Sequence, residues 1–178
     1  MEKKIIDYAL ECIEAENCLP TTKQTAGKLG VDEKEIEQFK RENAKYAEFV
    51  KLRKRFTSFD NERKKGFGGF KAFYEWYITQ EPKCHYCGTT QGELKRLFDD
   101  ELVLSSKFNA TLHIEQKIPK QGYNKDNRVL ACALCNNAKS DMISDDNFQK
   151  YFKKSMREFI EDLLSGKITN NIKGQIDE

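Results

Sequence analysis

The sequence predicts a mostly helical α+β chain that carries a small cysteine-clasped module containing a strand. Three observations carry this. Apolar residues recur at helical spacing near both ends, with Ile5, Ile6, Leu10 and Ile13 at one and Phe148, Tyr151, Phe152, Met156, Phe159, Ile160 and Leu163 at the other. Two C-x-x-C pairs, Cys84 with Cys87 and Cys132 with Cys135, have 44 residues between them. Within that interval Leu112 to Pro119 alternates apolar with polar, as a half-buried strand does.

At 178 residues, with 34% charged and a mean hydropathy of -0.77, the chain is long enough for one domain but polar for its size, so an elongated or two-lobed molecule is expected. No apolar run reaches the roughly 18 residues that span a bilayer, and residues 1–7 lack a signal-peptide core, which predicts a soluble, cytoplasmic protein with no membrane partner. The net charge of +2 is unevenly spread. Residues 1–50 hold eight Lys/Arg against eleven Asp/Glu, whereas residues 51–90 hold nine against four. The basic surplus therefore precedes the first cysteine pair, where it could grip a nucleic-acid backbone.

Residues 3–17 are predicted as an amphipathic helix ended by Leu19-Pro20, and Thr21 or Thr22 can cap a second helix reaching about Leu29. Ala26, Gly30, Ile36 and Phe39 then have helix-turn-helix spacing. The would-be reading helix opens on Asp32-Glu33-Lys34-Glu35, which phosphates would repel, so packing or partner docking is favoured over sequence reading. A further helix from Lys40 to about Arg55 leads into Lys51, Arg53, Lys54 and Arg55, followed by Arg63, Lys64 and Lys65. Phe56, Phe59, Phe67 and Phe70 are interleaved with these cations; they are read either as core under a solvated face or as part of a nucleic-acid surface. Phe70 to Ile78 and Phe148 to Leu164 are predicted helices, and the last dozen residues are expected to fray.

Six cysteines in a reducing compartment, four of them in two knuckles, point to a metal rather than to disulfides. Two thiolates separated by two residues can grip one tetrahedral ion, and two such pairs complete a four-sulfur zinc site at Cys84, Cys87, Cys132 and Cys135. Cys12 and Cys18 have no such spacing and are expected as core thiols.

The run Leu112-His113-Ile114-Glu115-Gln116-Lys117, the later Asn127, the apolar Val129-Leu130-Ala131 and Asn136-Asn137-Ala138-Lys139 after the last cysteine together resemble the HNH endonuclease family. The resemblance spans about Lys83 to Phe148. It implies a zinc-clasped strand-strand-helix (ββα-metal) module that hydrolyses DNA phosphodiester bonds. By the resemblance, Glu115 and Asn136 would hold a catalytic Mg or Mn ion, Asn127 would orient the catalytic loop, and Lys139 would contact phosphate. The implied regions are 1–80, helical and basic-aromatic; 81–150, the zinc module; and 151–178, a terminal helix and tail. A restriction or phage-defence setting would suit such an enzyme, and a homodimer would present two sites to the two strands of a duplex.

One position departs from the family. Gln116 stands where a histidine normally takes the proton of the attacking water, and an amide has no usable pKa for that work. His113, two residues before Glu115 on the same strand face, could substitute as the base or could simply make a phosphate or backbone contact. Three readings therefore remain: a metal-dependent endonuclease, a disarmed module that binds nucleic acid or a partner protein, and a transcription regulator reading DNA through residues 19–42.

Overall fold

The computed structural model describes residues 1–103 and 109–169; among these the chain is mostly helical, with ten helices and a two-stranded antiparallel hairpin. It divides into two units, Met1–Thr79 and Gln80–Glu178. The tail expected to fray lies outside the described residues from position 170 onward. No helix among the described residues is long and apolar enough to cross a membrane.

The first unit holds six helices. Helix α1 (Glu2–Glu16) buries Ile5, Ile6, Ala9, Leu10 and Ile13, and Asn17 ends it in the left-handed conformation before Pro20 is reached. Thr21 caps α2 (Thr22–Leu29) through a reciprocal capping box with Gln24; Gly30, at φ 68°, stops that helix, and Asp32 caps α3 (Glu33–Glu42). Thr25, Ala26 and Ile36 are buried where α2 meets α3. The helix expected from Lys40 is interrupted at Asn43, whose extended backbone and side-chain cap start α4 (Ala44–Thr57). Two short helices follow, α5 (Asn61–Phe67) and α6 (Phe70–Ile78).

The interleaved aromatics form this unit's core. Phe56, Phe67, Phe70 and Phe73 are buried, with Phe67 and Phe73 rings 5.0 Å apart and Phe56 and Phe73 5.4 Å apart. Trp76 and Tyr77 join the same cluster. The cations divide accordingly. Arg53 is buried, its guanidinium donating to the Asn17 backbone carbonyl at 3.0 Å and lying over Phe70, so it is withdrawn from any solvent-facing basic surface. Arg55 lies over Tyr77 and Arg63 over Phe59, whereas Lys51, Lys54 and Lys65 are exposed. Cys18, expected in the core, is exposed, and Cys12 is half-buried.

The second unit is built on the hairpin of β1 (His113–Gln116) and β2 (Arg128–Ala131), paired so that Glu115 faces Val129 and Gln116 faces Arg128. Around it stand α7 (Gln91–Asp99), α8 (Ala133–Lys139), α9 (Asp145–Tyr151) and α10 (Lys153–Leu164). Leu94, Leu97, Leu112, Ile114, Leu130, Phe148, Ile160 and Leu163 form its buried apolar set. The expected terminal helix is split: Ser144 caps α9, and Phe152, at φ -115°, interrupts the chain before α10. Tyr151 and Phe152 are exposed rather than part of the apolar stripe.

Candidate active site

The four knuckle cysteines converge, fully buried, with their sulfur atoms all within 4.8 Å of one another. Cys87 and Cys132 Sγ stand 3.7 Å apart. A tetrahedron with metal–sulfur bonds near 2.3 Å has edges of about 3.8 Å, so the cluster has the size and the soft donors of a structural zinc site. Local backbone geometry produces it. The first knuckle closes with Gly88 at φ 76°, a conformation that suits glycine, its N–H donating to the Cys84 carbonyl at 2.9 Å. The second knuckle opens helix α8, where Cys132 Sγ accepts from the Cys135 N–H. Thr89 Oγ1, 3.0 Å from Cys87 Sγ, adds a hydrogen-bond partner for that sulfur at the edge of the cluster.

The knuckles anchor the hairpin. The His85 N–H donates to the Leu130 carbonyl of β2 at 2.7 Å, and His85 Nε2 lies 3.1 Å from Asp145 Oδ1 of α9. Tyr86 packs beneath, its ring 5.0 Å from Phe148; burial, then the carboxylates of Asp145 and Glu115, push its phenol up. Gln91, the first residue of α7, accepts from the Leu112 N–H at 3.1 Å and donates to the Ala110 carbonyl, which sets the entry to β1.

Where β1 ends, a cleft of about 530 Å³ opens, lined by Glu115, Gln116, Pro119, Lys120, Tyr123, Asn136, Asn137, Ser140 and Asp141. Alternation along β1 holds from Leu112 to Glu115, buried and half-buried in turn, and lapses at Gln116 where the strand stops, so both Glu115 and Gln116 reach the cleft. Asn127, buried, joins the loop after β1 to the foot of β2: its Oδ1 accepts from the Ile118 N–H at 2.8 Å, and its Nδ2 donates to the carbonyls of Ile118 and Gly122 at 2.9 and 2.8 Å. His113 is absent from the cleft lining; its Nδ1 lies 3.5 Å from Asn136 Nδ2, which places it as a partner of Asn136.

No protein-family model matches the chain, and no curated protein matches it. The chain is similar to a solved structure of the rare-cutting HNH restriction endonuclease PacI. That likeness has a TM-score of 0.47 and 19% identity, over 62% of this chain and 78% of that one.

Lys139 differs from the sequence-based expectation of a phosphate contact. Its side chain is wholly buried, with Nζ 3.3 Å from Glu115 Oε1, 3.0 Å from the Gln116 carbonyl and 3.4 Å from the Ser140 carbonyl. An ammonium has three donors, and all three are engaged inside the module. The following residue, Ser140, carries φ 52°, so the backbone turns sharply at the cleft wall. Asp141, Tyr123 and Lys120 were not singled out from the sequence. Asp141 lies just past α8, within five residues of Asn136, and that proximity is the signal that could have found it.

Proposed function

We propose that the second unit is a metal-dependent nuclease module of HNH type that hydrolyses phosphodiester bonds in DNA. The observation that carries it is that Glu115 and Asn136 open onto one cleft, on a hairpin and helix clasped by the four-cysteine cluster. The donors fit a hard ion: a carboxylate from Glu115 and an amide oxygen from Asn136 are the oxygen ligands that Mg and Mn take. When bound there, such an ion lowers the pKa of water and stabilises charge on phosphate oxygens.

The chain's own residues supply position. Asn127 fixes the loop at Ile118 and Gly122, His113 holds the Asn136 amide, and Lys120 at the cleft would attract the phosphodiester. Lys51, Lys54 and Lys65 of the first unit would add contacts to the nucleic-acid backbone. The Gln116 amide takes no proton, and a missing general base costs about 100- to 10,000-fold in rate, so slow turnover is expected. The same Gln116 favours a second reading, a disarmed module that binds nucleic acid without cutting it.

Supercoiled plasmid incubated with zinc-loaded protein and magnesium or manganese decides between them. Cutting that a chelator stops, and that Glu115→Ala reduces at least about 100-fold, is expected, with Gln116→His raising the rate. Silence in the wild type with cutting in Gln116→His would leave the binding module, and silence in every variant would sink the nuclease reading.

A further inference from the structure

The buried Lys139 ammonium is unusual in meeting the very carboxylate assigned to the divalent ion. We propose that Lys139 is the internal counter-ion of Glu115, holding that carboxylate in place in the metal-free protein and competing with the divalent ion for it. The proposal deepens the nuclease reading, since it places a divalent ion at Glu115, but it is read by binding and not by cleavage.

Two facts support it, and one estimated distance gives the consequence. The Lys139 side chain has no exposure and the Glu115 side chain 17%, so each charge needs a partner inside the protein. The remaining donors of Lys139 meet backbone carbonyls on both sides of the site, at Gln116 where β1 stops and at Ser140 where α8 stops. The ammonium is thereby fixed beside the cleft and has no donor left over for a phosphate. A divalent ion on the Glu115 carboxylate would stand roughly 4–6 Å from that ammonium, close enough for strong repulsion in a partly desolvated site. Lys139 then keeps the metal-free site in order and weakens its hold on the ion.

Free-manganese electron paramagnetic resonance on the full zinc-loaded chain tests this, with Glu115→Ala defining the binding that belongs to the site. Lys139→Met removes the charge and keeps the stem; Lys139→Gln removes the charge and keeps donors for the two carbonyls. In both, half-saturation is expected at manganese concentrations at least about tenfold lower than in the wild type. A loss of structure or a phosphate contact would not tighten metal binding. Unchanged or weaker binding in both folded variants overturns the proposal, as does loss of zinc and of the cooperative melt in both, which would make Lys139 a requirement of the fold alone. Manganese binding that Glu115→Ala leaves intact removes the metal site and this proposal together. Tightened binding without any cleavage removes the nuclease reading only and leaves the counter-ion standing.

Discussion

A single amide at Asn127 makes three hydrogen bonds to the loop that leaves β1, two of them to the backbone of one residue, Ile118. Removing it takes from one backbone N–H and two carbonyls the partner that the buried amide gives them. Asn127→Ala is expected to lower stability by about 2–3 kcal/mol, and cleavage about 100-fold because the loop beside Glu115 drifts. Urea melts and plasmid cutting check this together; wild-type rates in a destabilised variant would show that the loop has no part in the site. The cysteines were legible in the sequence because metal-ligand spacing is a local property. Arg53 and Lys139 were not, because a charged residue is read as exposed unless its partners are known, and those partners lie 36 residues away for Arg53 and 24 for Lys139.

Helix α7 shows the same contrast one level up. Its signals are local: Thr90 and Glu93 form a capping box, and Leu94 and Leu97 are both fully buried at a spacing of three. The polar composition of the stretch hid them. What holds α7 in place was not legible, because it comes from α10: Arg157 donates to both Glu93 oxygens, at 3.1 and 2.9 Å, from a position 64 residues on. Arg157, followed by the Thr90 cap, lowers the Glu93 carboxyl from 4.5 to about 2. A depressed carboxyl contributes its full stability above its unfolded value and loses it as pH falls from about 4.5 towards 2. Protons also compete for the cysteine thiolates on acidification, so the pair is best read at neutral pH, where the metal stays. A double-mutant cycle of Glu93→Gln and Arg157→Ala at pH 7 is expected to give a coupling of about 1–2 kcal/mol, reduced by the solvent that reaches both side chains. Additive losses would show that the two helices are held by their apolar faces alone.

At the scale of the whole molecule, the helical amino-terminal region and the cysteine-clasped hairpin were both legible, because each rests on local periodicity or spacing. The division of the aromatics was not, since interleaving with cations does not say which way a ring points; Phe56, Phe67, Phe70 and Phe73 turned inward and left Lys51, Lys54 and Lys65 outside. Each unit thus has its own apolar core, but only the second contains the four-cysteine cluster. Structural zinc contributes about 10–16 kcal/mol, as much as the whole stability of a typical domain, so the second unit is expected to unfold when a strong chelator removes it. The first unit contains no knuckle and keeps its reasons to fold. About two-thirds of the helical residues described belong to α1 through α6, so chelation is expected to cut the 222 nm ellipticity by about one-third and leave a separate thermal transition. Collapse to a coil spectrum would mean that the first unit needs the second to fold, and an unchanged spectrum would mean that the hairpin and its helices stand without the metal.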